Sequence, residues 1–142
     1  MPIVTDTGFL GEADTIPLIS LAAIEAGGGD PASGLEITND TAVTAILPYL
    51  AVVPLVAVVF PNFADGRGFS LAKRLRAAGF TGRLRAKGHV IADQYAMARA
   101  CGFDEVEIDA CLAERQPESH WLAARFEGGQ ALSARRLPAA AE

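Results

Sequence analysis

Residues 55–70 read Leu55-Val-Ala-Val-Val-Phe60 and then Pro61-Asn-Phe-Ala-Asp-Gly-Arg-Gly-Phe-Ser70. The first six residues are apolar without alternation, which is typical of a strand buried on both faces of a parallel sheet. The residues that follow are polar and rich in glycine, and Ser70 is of a type that caps the start of a helix. A strand, a short loop and a helix in this order form the basic unit of α/β proteins, which place ligand sites at the carboxyl ends of their strands.

The same pattern continues downstream. Leu71 and Leu75 recur at helical spacing, and residues 82–86 alternate as a strand. A second helix is predicted over residues 89–101, ending before Gly102, and residues 105–108 alternate as a further strand. The charged residues of the first helix are expected to face water, namely Lys73, Arg74 and Arg76. These alternating elements indicate right-handed parallel βαβ units, so we predict a single α/β domain over residues 1–142, with a parallel sheet resembling part of a (β/α) barrel.

The segment upstream of residue 55 contains shorter predicted elements. Residues 16–20 and 35–38 are predicted as two short strands, separated by a loop rich in glycine. Asn39 or Asp40 then offers an N-cap for a helix that reaches about Leu50.

An uncharged run of 19 residues, 42–60, is long enough to suggest a membrane span. Pro48 and Pro54 interrupt it, and its second half is β-branched like a buried strand. A short helix, a turn and a core strand explain the same residues, so no membrane span is predicted.

The pattern is less regular after residue 109. Residues 110–115 and 119–126 are predicted to be helical from their apolar spacing. A loose tail is expected from about residue 128, because chain ends are ordered only where they dock.

Composition narrows the classes of function. The chain has 142 residues, 51% of them hydrophobic and 20% charged, which fits one globular domain, and its net charge of −5 argues against a nucleic-acid binder. The positions of Cys101, Cys111 and the two histidines do not match the ligand spacing of a structural metal site. We therefore expect buried free thiols and no metal site. There is no dinucleotide glycine motif and no cysteine quartet, so no redox cofactor is expected. The N-terminus has no signal-peptide pattern, which predicts a cytoplasmic protein.

The balance of charge changes sign at the loop. Arg67 is the first basic residue, and seven acidic residues stand before residue 61 without any basic residue among them. Between residues 61 and 103, eight basic residues stand against only Asp65 and Asp93. A local anion site is therefore compatible with an acidic chain.

Polar residues follow two of the predicted strands, whose carboxyl ends should share one edge of the sheet. Arg67 lies between two glycines, where the backbone can approach a ligand closely, and a helix starting at Ser70 would favour an anion such as sulfite, sulfate or phosphate. The alternative is that Asp65 and Arg67 only pin a tight turn and Ser70 only caps the helix. The candidate ligand-binding residues are Asp65, Gly66, Arg67, Gly68, Ser70, Arg85, Lys87, Asp93 and Gln94.

The second predicted helix carries two polar features that could serve the site. Gln94 lies on its apolar face, so its amide is expected to bond inward and orient the loop of residues 65–68. His89 and Asp93 are one helical turn apart and could pair to hold an imidazole for proton transfer, or could form a solvated surface contact. The same apolar face would carry Val90, Met97 and Cys101. No residue is assigned as catalytic.

Four motifs together resemble a bacterial family, domain-of-unknown-function family 934. They are Pro61-Asn-Phe-Ala-Asp-Gly-Arg-Gly-Phe-Ser70, Gly82-Arg-Leu-Arg-Ala-Lys-Gly88, Asp93-Gln94 and Cys101-Gly-Phe-Asp104. The resemblance is dense from about residue 55 to residue 108. Members are described as oxidoreductases of sulfite reduction and as companions of assimilatory sulfite reductase and phosphoadenylyl-sulfate reductase. The resemblance implies a pathway and brings no catalytic assignment.

From these observations we expect an accessory protein of sulfate and sulfite reduction. It would bind a small sulfur oxyanion, held by Arg67, or the reductase itself, through the loop of residues 65–70. One alternative is a small enzyme of the same pathway, an oxidoreductase with Asp65 or His89 as proton carrier. Another is a scaffold whose acidic N-terminal third docks onto a basic partner. No nucleic-acid or membrane partner is expected, and homo-oligomerisation is left open.

Overall fold

The computed structural model describes residues 2–10, 16–27 and 33–124. Within these ranges the chain forms seven strands and a set of helices. The strands are β1 (Ile3–Thr5), β2 (Gly8–Leu10), β3 (Leu18–Ser20), β4 (Gly34–Thr38), β5 (Leu55–Phe60), β6 (Arg83–Gly88) and β7 (Glu105–Glu107). The helices are α1 (Leu21–Glu25), α2 (Val43–Ile46), α3 (Arg67–Ala77), α4 (Tyr95–Cys101) and α5 (Ala110–Arg115), and residues 118–124 are also helical. The tail predicted from residue 128 lies outside the described residues.

The seven strands form one sheet in the order β2-β1-β7-β6-β5-β4-β3. Strands β3 to β7 are parallel and lie side by side in chain order. β1 runs antiparallel to β7 and pairs with β2 as a hairpin. The parallel strands confirm the predicted single-domain α/β fold, and their sequential order is that of part of a (β/α) barrel. The sheet is open, with β2 and β3 as its edges.

The helices cover one face of this sheet. Val56 and Val58 of β5 belong to the same buried cluster as Leu71 and Leu75 of α3. Right-handed crossovers between adjacent parallel strands return each helix to the same side, which explains the one-sided layer. The phenyl ring of Phe60 completes the core near the end of β5, at 5.0 Å from the ring of Phe69 and 5.7 Å from that of Phe103.

The opposite face of the sheet carries charged side chains. Arg85 is only 2% exposed, and its guanidinium bonds to Glu105 (Nε to Oε2, 2.6 Å) and to Glu107 (Nη1 to Oε1, 2.9 Å). Lys87 reaches across β5 to Glu36 of β4, with 2.5 Å between Nζ and Oε1. Burial of these charges is tolerated because each has a partner of opposite sign. The ion-pair ladder, as we name it, consists of Glu36, Arg83, Arg85, Lys87, Glu105 and Glu107.

The sheet begins earlier in the chain than predicted. The strand expected at residues 16–20 is β3, and the β1–β2 hairpin precedes it. Long-range polar contacts stabilise this hairpin: Asp6, in its turn, accepts hydrogen bonds from Tyr95 Oη (2.6 Å) and Arg99 Nη2 (3.0 Å) of α4. Strands of three residues are too short for a periodic sequence signal.

The helix predicted to follow Asn39 or Asp40 and to reach Leu50 is much shorter. α2 begins after Ala42, without a side-chain cap, and a 3-10 turn over Leu47–Tyr49 follows it. Pro48 lies in that turn, and its missing N–H explains why the α-helix does not continue. No helix within the described ranges is long and apolar enough to cross a membrane.

The second predicted helix begins later than residue 89. A 3-10 turn over Ala92–Gln94 precedes α4, so the predicted apolar face is wrong at Met97, which is 55% exposed. Gly102 ends α4 with a φ of 114°, as predicted.

Two other side-chain predictions are wrong. Arg76 does not face water: its guanidinium donates to the carbonyl oxygens of Gly102, Phe80 and Gly82, which ties α3 to the neighbouring loops. Cys101 is buried as expected, whereas Cys111 is exposed on α5.

Candidate functional site

The carboxyl ends of the parallel strands meet at one edge of the sheet. We call this the carboxyl edge; it comprises residues 39–41 after β4, 61–67 after β5, 89–94 after β6 and 108–109 after β7. It is the edge at which open parallel sheets bind ligands.

Asp65 and Arg67 form a closed fork on this edge. The guanidinium donates from Nε to Oδ1 (3.1 Å) and from Nη2 to Oδ2 (2.8 Å) of the carboxylate. The side chain of Arg67 is 62% exposed, whereas that of Asp65 is 14% exposed. The Arg67 guanidinium, followed by the Asn39 amide and the Arg67 backbone N–H, holds the pKa of Asp65 well below its usual range. Asp65 in turn raises the pKa of Arg67.

The start of α3 differs from the prediction. The helix begins at Arg67 with Gly66 at the N-cap position, so Ser70 lies inside it and does not cap it. The backbone N–H of Arg67 donates instead to Asp65 Oδ1 at 3.2 Å. A carboxylate therefore already occupies the helix start at which an oxyanion was expected.

The two glycines of the loop have different roles. A Cβ added at Gly68 would lie 2.4 Å from the ring of Phe60, so this glycine is required for core packing rather than for the approach of a ligand. At Gly66 the nearest atom, in the ring of Phe69, would be 3.9 Å away.

Gln94 connects two loops of the edge, although it bonds to Phe63 and not to residues 65–68 as predicted. Its Oε1 accepts from the N–H of Ile91 and its Nε2 donates to the carbonyl oxygen of Phe63, both at 3.0 Å. The exposed His89 ring packs edge-on against the Phe63 ring, with centroids 5.1 Å apart. In the described part of the chain, His89 and Asp93 share no hydrogen bond or ion pair, and Asp93 is exposed.

The loop after β4 adds a polar group to the edge. Asp40 accepts a hydrogen bond from Thr38 Oγ1 (2.5 Å), which lowers the pKa of Asp40. Asn39 is 5% exposed, and its side-chain amide lies beside the carboxylate of Asp65.

The structure thus separates the predicted ligand residues into two groups. Asp93 and Gln94 lie on the carboxyl edge with the loop of residues 65–68, whereas Arg85 and Lys87 belong to the ion-pair ladder. Ser70 lies exposed on α3. Within the described ranges, no cluster of three or more histidine, cysteine or acidic side chains could hold a metal ion.

The sequence analysis missed the contribution of Asn39, Asp40 and Phe63 to this edge. Asn39 and Asp40 directly follow a predicted strand, so the rule applied to the other strand ends could have placed them there. Nothing in the sequence marked Phe63, because its exposure depends on the position of the neighbouring loop.

The fold and the edge define a class: small α/β proteins with an open, largely parallel sheet and a fixed polar loop at its carboxyl edge. The model of the family described as "Bacterial protein of unknown function (DUF934)" matches residues 34–129, and the chain belongs to this family. The match begins at β4 and extends beyond the described helix at residues 118–124. A comparison with curated proteins gives no match.

Proposed function

We propose that this protein is a cytoplasmic accessory protein of sulfite reduction that docks onto a reductase through its carboxyl edge. The pathway comes from the resemblance described above. The observation that carries the docking role is the hydrogen bond from Gln94 to the carbonyl of Phe63, which holds an exposed aromatic side chain in place. A preorganised loop binds with a smaller loss of conformational entropy.

The side chains of the edge favour binding over proton transfer. A general acid or base works best with a pKa near the operating pH, and Arg67 holds the pKa of Asp65 far below that range. The His89 ring is in contact with Phe63 and, among the described residues, has no carboxylate partner to orient it. The enzyme alternative therefore has weaker support.

The scaffold alternative depends on the acidic N-terminal third. Two of its carboxylates are used internally, since Asp6 pairs with Arg99 and Glu36 pairs with Lys87. They are consequently not available for a partner.

A sulfur oxyanion is the second candidate ligand. No described residue bonds to Nη1 of Arg67, and this exposed group could bind sulfite. The other two guanidinium nitrogens already bond to Asp65, which weakens their attraction for an anion.

The test is a direct binding measurement. The purified protein is immobilised, and purified sulfite reductase and phosphoadenylyl-sulfate reductase are passed over it separately. We expect one reductase to bind, and Phe63→Ala to weaken binding at least about tenfold. In parallel, sulfite is titrated while the melting temperature is followed, with Arg67→Met as control. If neither reductase binds and sulfite leaves the melting temperature unchanged, the proposed function is wrong.

A further inference from the structure

A segment near the end of the described chain reaches the carboxyl edge. Residues 116–124, which we name the strap, begin at the C-terminal end of α5 and include the helix at residues 118–124. The side-chain Oε1 of Gln116 accepts a hydrogen bond of 2.6 Å from the backbone N–H of Ala92. Ala92 begins the 3-10 turn that ends at Gln94, so the strap bonds directly to one of the loops of the edge.

This hydrogen bond supports the turn from which Gln94 reaches Phe63. The N–H groups at the start of the turn have side-chain acceptors, since Ile91 donates to Gln94 and Ala92 donates to Gln116. Ala92 is only 3% exposed, so the loss of Gln116 would leave a buried donor without this acceptor. An unpaired buried donor is destabilising. Gln116 therefore stabilises the turn, and the turn carries the amide that bonds to the carbonyl of Phe63.

The strap has one buried anchor. The indole of Trp121 is 1% exposed, and it packs edge-on against the ring of Tyr95 with centroids 6.0 Å apart. Its Nε1 donates to the carbonyl oxygen of Gln116 at 2.9 Å. Every other residue of the helix that carries Trp121 is exposed or only partly buried. A segment with so few buried contacts opens locally at a lower free energy than the whole domain.

The strap also contacts the β1–β2 hairpin, which lies outside the residues that the family model matches. Glu118 accepts a hydrogen bond of 2.7 Å from the backbone N–H of Phe9 in β2. The hydroxyl of Tyr95, whose ring packs against Trp121, donates to Asp6 in the turn of the hairpin. The hairpin therefore helps to hold the strap in its docked position.

We propose that the strap regulates the carboxyl edge. When Trp121 is docked, the turn at residues 92–94 and the loop that carries Phe63 are ordered for binding. When Trp121 is released, both loops loosen and the edge binds its partner more weakly. This inference rests on the proposed function for the claim that the edge binds a partner, whereas the coupling of the strap to the edge is tested without one. Because such coupling is reciprocal, a molecule that binds the edge also favours the docked strap.

The first arm of the test measures the coupling in the free protein. Gln116→Met removes the acceptor but keeps the length of the side chain, whereas Gln116→Glu keeps an acceptor oxygen. We expect amide hydrogen exchange at residues 63–65 and 92–94 to be at least about tenfold faster in Gln116→Met and close to that of the wild type in Gln116→Glu. Glu114→Met, an exposed change on α5, is the matched control and should leave the exchange unchanged.

Trp121 provides a second measurement in the free protein. It is the only tryptophan of the chain, so its fluorescence reports on the strap alone. Quenching of this fluorescence by acrylamide should increase in Gln116→Met and stay at the wild-type level in Gln116→Glu and Glu114→Met. Equal quenching in all four proteins would contradict the role of Gln116 in docking the strap.

The second arm measures the affinity of the same variants for the reductase that binds the wild type. We expect Gln116→Met to bind at least about tenfold more weakly, and both other variants to bind as the wild type does. If Gln116→Met binds equally well, the inference fails while the proposed function stands. If Gln116→Met loosens residues 63–65 and neither reductase binds the wild type, the proposed function fails while the coupling stands. The inference is overturned by exchange at residues 63–65 that is unchanged in Gln116→Met, equally fast in Gln116→Glu, or accelerated equally throughout the sheet.

Discussion

Gln94 Nε2 donates a hydrogen bond of 3.0 Å to the carbonyl oxygen of Phe63, 31 residues earlier in the chain. This bond joins the loop after β6 to the loop after β5, at the edge where both parallel strands end. The other end of the same amide accepts from Ile91, so both of its polar atoms are bonded to backbone. One side chain thereby fixes the geometry of the candidate site.

Replacing Gln94 by Ala should release the loop. Two hydrogen bonds are lost, so we expect destabilisation of about 1–2 kcal/mol in urea unfolding and faster hydrogen exchange at residues 63–65. Met97→Ala, an exposed change on α4, should alter stability by less than about 0.5 kcal/mol. Unchanged exchange in Gln94→Ala would show that the loop is held by other contacts.

The two glycines of the loop should respond differently to alanine. Gly68→Ala places a methyl group against the Phe60 ring and should cost about 1–3 kcal/mol. Gly66→Ala meets no close atom and has a φ of −87°, so its effect should stay below about 0.5 kcal/mol. Denaturant unfolding of both variants measures the difference. Equal stabilities of the two variants would contradict the close packing of Gly68 against the Phe60 ring.

Arg85→Ala should be among the most destabilising substitutions in the chain. It leaves Glu107 without its buried partner and removes one of the partners of Glu105, which should cost about 3–5 kcal/mol. Arg74→Ala, on the exposed side of α3, is the control and should be nearly neutral. A cost near that of the control would contradict the burial of the ladder.

Asp65 should remain ionised in acid well below the pH at which an ordinary aspartate takes up a proton. Because its pKa is lowered in the folded state, Asp65 stabilises the fold fully above the aspartate pKa of the unfolded chain, and this contribution is lost progressively as the pH falls from that value through the lowered one. Carboxyl carbon shifts measured against pH test this. Arg67→Met removes the guanidinium, which is the largest cause of the lowered pKa, and should move the titration midpoint of Asp65 back toward the usual range. A wild-type midpoint in the ordinary aspartate range would contradict the pairing of Asp65 with Arg67.

The two cysteines should differ in reactivity. Cys111 is exposed, whereas Cys101 is buried and its burial raises the pKa of the thiol. Native protein treated with iodoacetamide should be labelled at Cys111 first, and Cys111→Ser should be almost unlabelled until it is denatured. Mass spectrometry locates the label, and rapid labelling of Cys101 in native protein would argue against its position in the core.

Much of the central fold follows from local sequence patterns. Two features depend only on neighbouring residues: the non-alternating apolar run of β5 and the glycine that ends α4. Both were predicted at the right place. The β1–β2 hairpin was not, because it is stabilised by contacts such as that of Asp6 with Arg99, which are 93 residues apart. Ser70 was misplaced as a cap because the Asp65 side chain already satisfies the first amide of α3.

The sequence by itself determined the class of fold, the strand-loop-helix unit at residues 55–70 and the family, since these depend on short-range periodicity and motifs. It also indicated that Gln94 bonds to the segment after β5, although the partner is Phe63 and not residues 65–68. Only the tertiary structure decided the charge of the carboxyl edge. Arg85 and Lys87 lie close to the loop in sequence, but the two-residue period of β6 turns their side chains onto the sheet face, where carboxylates from other strands neutralise them. Charge counted along the chain therefore favoured an anion site with several basic residues, and pairing across the sheet places two of those residues away from the edge.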